Sequence, residues 1–145
     1  MTPIIFLDFD GVLNGYSDPV PGGGLRGLDR VRVARLNRIC DATGAHVVVT
    51  SAWRIGRTRC QLADILVAVG FTGMVAGLTP RGATRAEEIG MWWTTCPRKY
   101  RKSPFIIIDD EHEFWGMEQY LVRTDMHVGL TDADADKAIQ LLGGI

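Results

Sequence analysis

The chain alternates short, wholly apolar runs with longer stretches in which apolar residues recur at helical spacing. Ile4-Ile5-Phe6-Leu7 contains no polar residue, as expected of a strand buried on both faces of a parallel sheet. Residues 46–50 and 105–108 read the same way, and shorter strands are predicted at 74–76 and 121–123. Between the first two strands, residues 28–41 place Val31, Leu36 and Ile39 among arginines, which predicts an amphipathic helix stopped by Gly44. Further helices are predicted at 58–69, ending at Gly70, at 84–95 and at 131–142. Thr84 and Glu87 have the spacing of a capping box. Thr131 is a candidate cap, with Asp132 and Asp134 in a first turn that favours acids. Residues 14–27, with Pro19, Pro21 and Gly22, Gly23 and Gly24, read as an irregular loop.

Strands that alternate with helices and carry no polar face imply an α/β fold: a mostly parallel central sheet covered by helices on both sides. Ligands of such sheets bind beyond the carboxyl ends of the strands. That rule selects Asp8, Asp10, Thr50, Ser51, Asp109 and Asp110, which all follow apolar runs. Four carboxylates gathered there would repel one another unless a cation lay between them, so a metal site is the economical explanation.

Composition narrows the class. With 145 residues, of which 46% are hydrophobic and 23% charged, the chain is expected to form one globular domain over residues 1–145. No apolar run approaches the roughly 18–20 residues that span a bilayer, and the N-terminus has no signal-peptide pattern. Cys40, Cys60 and Cys96 are widely spaced and form no CxxC pair, which fits a reducing compartment. A cytoplasmic protein is therefore expected. The net charge is only -1, but the signs are segregated. Eight arginines lie between Arg26 and Arg59 against two aspartates, and nine acids lie between Asp109 and Asp136 against Arg123 alone. Either these are solvated helix faces, or a basic surface for an anionic partner sits beside an acidic site that takes a cation.

The segment Asp8-Phe9-Asp10-Gly11-Val12-Leu13-Asn14 resembles the first motif of the haloacid dehalogenase (HAD) superfamily of phosphohydrolases. Thr50-Ser51, a basic residue opening a later helix, and Asp109-Asp110 follow in that superfamily's motif order. Val49-Thr50-Ser51-Ala52-Trp53-Arg54, Glu87-Glu88-Ile89 with Trp92-Trp93, and Gly129-Leu130-Thr131 are similar to a smaller group that includes phosphatase domains associated with RNA repair. The resemblance implies a Rossmann-like three-layer α/β/α sandwich. It also implies Asp8 as nucleophile, forming an aspartyl-phosphate, and Asp10 as the general acid and base. Gly11 permits the chain's sharp departure. Mg2+ would be held by Asp8, the backbone carbonyl of Asp10 and the acidic pair, with Asp110 as preferred ligand and Asp109 orienting or coordinating. Thr50 and Ser51 compete to donate a hydroxyl to a phosphoryl oxygen, and either could instead cap the next segment.

One position departs from the family pattern. The third motif usually supplies lysine, and Lys102 lies seven residues before Asp109, or roughly 23 Å if extended, at the wrong end of the sheet. Arg85, opening a helix on the active-site side, takes the role. Trp53 and Arg54 are candidates for substrate binding, the first by stacking on a base and the second by holding a phosphate, although buried packing is the commoner fate of tryptophan. His112 and Glu113 do not make a zinc site.

No insertion is long enough for a large cap domain, so the site should be open. An open site favours a phosphate on an RNA or DNA end over an enclosed small metabolite. The alternatives are a nucleotide or general phosphomonoesterase and a catalytically weak module that binds phosphorylated ends. A phospho-accepting receiver domain and a topoisomerase-like metal domain place their acidic motifs in a different order, and no P-loop sequence occurs.

Overall fold

The structure, a computed structural model, describes residues 1–20 and 26–143. Pro21 and the three glycines of the predicted loop therefore lie outside the described residues. Five strands form one sheet: β1 (Ile4–Leu7), β2 (His46–Val49), β3 (Val75–Leu78), β4 (Phe105–Asp109) and β5 (Leu121–Arg123). The order is β3-β2-β1-β4-β5, and every pairing is parallel. The sheet first grows from β1 toward β3 and then restarts on the other side of β1. The reversal makes the carboxyl ends of β1 and β4 the crevice where such sheets take ligands.

Period-two alternation along β1 divides the core. Ile5 and Leu7 face a layer built from α1 (Arg30–Thr43), α2 (Arg59–Ala68) and α4 (Asp132–Leu141), through Leu36, Leu62 and Ile139 among others. Ile4 and Phe6 face α3 (Arg85–Thr95) through Ile89 and Trp92, with Tyr100 and Phe114 closing that side. The result is the expected three-layer α/β/α sandwich without a large cap. No helix among the described residues is long and apolar enough to cross a membrane.

Local chemistry accounts for the differences from the sequence reading. Helix α1 begins at Arg30 rather than at residue 28 because the Asp29 carboxylate accepts from the Arg32 N–H and caps it. Gly44, at φ +73°, ends it as expected. Only half of the capping box at α3 forms: Thr84 accepts from the Glu87 N–H without a returning bond. Complete boxes form instead at Thr58–Gln61 and Thr131–Asp134. Strand β3 runs one to two residues later than predicted. It is an edge strand, and its register against β2 shifts between Val47 and Val48.

The segregated charges meet across the α1–α4 contact. Arg35 pairs with Asp132 and Arg38 with Asp136, while Arg32 reaches Asp18 and Asp29. This part of the arginine-rich segment is therefore engaged within the molecule and is not a basic surface for an anionic partner.

Candidate active site

Strand register assembles the site. Leu7 lies level with Val49 on one side and Ile108 on the other, so the next residues, Asp8, Thr50 and Asp109, stand side by side. They share the parity of Phe6, Val48 and Ile107, so they face the α3 layer, and Arg85 is the first residue of α3. Its Nη1 lies 3.2 Å from Asp8 Oδ1, 3.2 Å from Asp109 Oδ2 and 3.3 Å from Thr50 Oγ1. All three partners are buried. Asp8 Oδ1 also accepts from the Phe9 N–H at 2.8 Å, and Asp109 Oδ1 from the Glu111 N–H at 3.0 Å.

The turn after β1 places Asp10. Gly11 sits at φ +79°, and a Cβ there would lie 2.7 Å from Asp110 Cγ, so the position excludes a side chain on two grounds. The fully buried Asn14, which the sequence reading gave no role, ties the turn together. Its Oδ1 accepts from the Gly11 N–H at 3.0 Å, and its Nδ2 donates to Asp10 Oδ1 at 2.9 Å. The Trp53 indole N–H donates to the other oxygen, Asp10 Oδ2, at 3.1 Å. Thr124, also missed, donates its hydroxyl to the Gly11 carbonyl at 2.7 Å, while its N–H donates to the Asp109 carbonyl. It follows a strand end just as Thr50 does. The strand before it is predicted at 121–123, but the sequence reading gives the residue that follows that strand no part in the site.

Carboxylate oxygens of Asp8, Asp109 and Asp110 lie within 4.8 Å of one another. Burial pushes the Asp8 carboxyl up to about 6 despite Arg85 and the Phe9 N–H, and Asp110 adds to the rise. Burial and then Asp8 push Asp109 up to about 8 against the pull of Arg85 and the Glu111 N–H. Burial opposes the Arg85 cation, but Asp8 and Asp109 outweigh it and raise its pKa. The guanidinium contacts two of the three clustered carboxylates, Asp8 and Asp109, so the cluster keeps a net negative charge. Such a set of hard, anionic oxygen donors fits a small divalent cation such as Mg2+.

The remaining candidates divide. Thr50 lies beneath Arg85, whereas Ser51 accepts from the Trp53 N–H at 3.2 Å and caps the short 3-10 turn Ala52–Arg54. Ser51 nevertheless lines a cavity of about 430 Å³ together with Asp8, Asp10, Arg85, Asp109 and Asp110. Trp53 lines a neighbouring cavity of about 370 Å³ and packs edge-on against Phe9. Arg54 does not reach either cavity, which corrects its assignment as a phosphate ligand. The 3-10 turn throws it inward, where Nε donates to the Thr79 carbonyl and Nη1 to the carbonyls of Thr50 and Ser51. Its Nη2 donates to the Pro80 carbonyl and to the buried Glu88 carboxylate. Arg54 thus clamps the ends of β2 and β3 to α3. Tyr16, another residue the sequence did not single out, stands on the wall shared by the two cavities. Burial, followed by Asp110, Asp10 and Asp8, raises its phenol pKa, so it stays a protonated donor.

A parallel α/β sandwich with two aspartates separated by a single residue after the first strand, a hydroxyl after the second, a helix-borne cation and an acidic pair after the fourth defines a class. It is that of parallel α/β domains that carry an acidic site at the carboxyl ends of their central strands. The chain belongs to the HAD superfamily: the family model described as "HAD domain in Swiss Army Knife RNA repair proteins" matches residues 4–135. Membership supports a HAD-type phosphohydrolase. No curated protein and no solved structure gives a significant match.

Proposed function

We propose that the protein is a Mg2+-dependent phosphomonoesterase that removes a terminal phosphate from a nucleic acid through an aspartyl-phosphate on Asp8. The observation that carries this reading is the pairing of Asp8, under Arg85, with an Asp10 whose two oxygens are separately held by Asn14 and Trp53. Asp8 attacks phosphorus as the P–O bond to the leaving group breaks, and Asp10 delivers its proton to the departing oxygen. Asp10 then takes a proton from the water that attacks the phosphoryl group. The bond to Asp8 breaks and inorganic phosphate leaves. Arg85 and the hydroxyl of Thr50 or Ser51 receive the charge on the phosphoryl oxygens. Asp8, Asp109, Asp110 and the Asp10 carbonyl would hold Mg2+, which supplies charge neutralisation among the carboxylates and the phosphoryl group.

The hydrogen bonds to Asp10 do not consume its capacity, since each carboxylate oxygen has two lone pairs. They fix its direction, which an acid that must meet a leaving oxygen requires. The nucleic-acid substrate is supported by the family's place in RNA repair proteins and by a site that no large cap covers among the described residues.

The test is phosphate release from 3′- and 5′-phosphorylated RNA and DNA oligonucleotides, mononucleotides and p-nitrophenyl phosphate, with Mg2+, with chelator, and with Asp8→Asn. Metal-dependent release from one polymer end, lost in the variant, is expected. Preference for mononucleotides would keep the chemistry and overturn the polymer. No release from any substrate by folded, metal-loaded protein would leave a phosphate-end binding module.

A further inference from the structure

The second cavity is not explained by phosphoryl transfer. Its volume of about 370 Å³ falls at the low end of the range for small-ligand pockets, about 300–1,000 Å³. Asp10 stands at its edge, on the side from which the proposed mechanism expels the leaving group. Tyr16 and Trp53 supply aromatic surface, and each carries an arginine. The guanidinium of Arg26 lies 4.9 Å from the Tyr16 ring centroid, and that of Arg57 lies 5.7 Å from the Trp53 centroid.

These two arginines stand apart within their segment. Of the eight between Arg26 and Arg59, four (Arg32, Arg35, Arg38 and Arg54) pair with carboxylates. Arg30 and Arg59 donate to the carbonyls of Ala68 and Val75, away from the cavity. Arg26 and Arg57 form no ion pair among the described residues, and both line the cavity. Each is steadied by one bond to a nearby carbonyl, Arg26 to Tyr16 and Arg57 to Trp53. The Arg26 Nε–H is buried and finds no acceptor among the described residues. A pair of aromatic faces bearing two unneutralised, forked cations fits a nucleobase joined to a phosphodiester. It does not fit a bare aryl or alkyl group, which would give the cations nothing to bind.

From this arrangement, and resting on the proposed phosphatase reading, we infer that the cavity beside Asp10 is the leaving-group site. It seats the terminal nucleoside against Trp53 and Tyr16 and the next phosphodiester of a single strand on Arg26 and Arg57. Trp53 then has two duties, since the ring that meets the base also carries the N–H that directs Asp10. A seated terminal nucleotide presses on the residue that aims the acid. Single phosphorylated nucleotides satisfy only half of the site, because they lack the second phosphate.

The experiment measures binding and turnover separately. Asp8→Asn protein with Mg2+ is titrated with 3′- and 5′-phosphorylated pentanucleotides and with the matching mononucleotides, at several salt concentrations. Arg26→Ala, Arg57→Ala and a control, Arg98→Ala, are made in the same background. Arg98 is exposed and precedes β4, at the opposite end of the sheet. The expected result is tighter binding of one pentanucleotide than of its mononucleotide. Each cavity arginine removed should weaken that binding about tenfold. It should also flatten the slope of log Kd against log salt by about 0.7–1. Arg98→Ala should do neither. In the active background, Arg57→Ala should lower the ratio of kcat/KM for the pentanucleotide to that for p-nitrophenyl phosphate. Equal affinity for pentanucleotide and mononucleotide, or arginine variants that bind like the parent, would overturn the inference. Arginine-dependent binding with no turnover of any substrate by the active protein would support the cavity assignment and overturn the catalytic reading.

Discussion

Replacing Arg54 decides between two roles for a residue whose position next to Trp53 suggests substrate contact. In the structure its side chain is about 5% exposed and donates to four backbone carbonyls and one carboxylate. Arg54→Ala leaves Glu88, itself buried, without its cation. It also strips the buried carbonyls of Thr50, Ser51 and Thr79, and the half-buried carbonyl of Pro80, of a donor. Breaking one side of a buried ion pair costs about 3–5 kcal/mol. That is a large share of the roughly 5–15 kcal/mol that holds a domain together. At about 2–4 °C per kcal/mol for a domain near this size, Tm should fall by roughly 6–20 °C. The assay is thermal and urea denaturation followed by circular dichroism, with kinetics on the surviving folded fraction. A double variant, Arg54→Met with Glu88→Leu, should recover much of the loss, because it removes the stranded charge together with its partner. An Arg54→Ala protein with unchanged Tm and a KM raised tenfold would refute this reasoning and return Arg54 to the substrate.

Other consequences concern the acidic site. Both Asp8 and Asp109 hold protons in the metal-free fold at pH values where the unfolded chain, near 3.8, releases them. The metal-free protein should therefore lose stability as pH rises from about 4 through 6 and toward 8. Asp8→Asn should raise the urea midpoint of chelated protein more at pH 8 than at pH 4.5, and a variant effect independent of pH would contradict the shifts. Mg2+ should stabilise wild type most at the upper end of that range, as read by the same titration. Asn14→Ala frees Asp10 Oδ1 and the Gly11 N–H, so kcat should fall about 10–100-fold with KM little changed, at a cost of about 1–3 kcal/mol in stability. Gly11→Ala should cost about 1–3 kcal/mol from its positive φ alone, and more from the contact with Asp110. Its urea midpoint should drop below that of a Gly27→Ala control, where a Cβ meets nothing.

The central strands and the acidic residues after them were legible because both obey short-range rules. Three apolar runs could only be buried strands, and parallel register then places Asp8, Thr50 and Asp109 abreast without further information. Arg85 was reachable by asking which end of the sheet each basic residue occupies. Arg54 was not legible. Its direction is set by a three-residue 3-10 turn, and the partner that draws it inward, Glu88, lies 34 residues away on α3. The arginine run stayed ambiguous for a related reason. The acids on α4 that neutralise Arg35 and Arg38 lie nearly a hundred positions later, so local charge counts could not tell these paired arginines from Arg26 and Arg57, which stay without a carboxylate among the described residues. Asn14 and Thr124 act through backbone groups of the Gly11 turn, and a one-dimensional pattern carries no signal for which loop amide needs a partner.

The place of β1 at the centre of the sheet bears on how the chain is made. Ile4 pairs with Phe105 on one side and with His46 on the other. During synthesis β1 and β2 can meet early, but the far edge of β1 waits about 100 residues for β4, which at 5–20 residues per second is roughly 5–20 s. Throughout that interval the nascent chain presents a four-residue apolar strand with unpaired N–H and C=O groups, a template for association with any similar edge nearby. The acids that match the arginines of α1 arrive later still. Slowing elongation between β2 and β4 should therefore lower soluble yield without altering the stability of the finished fold.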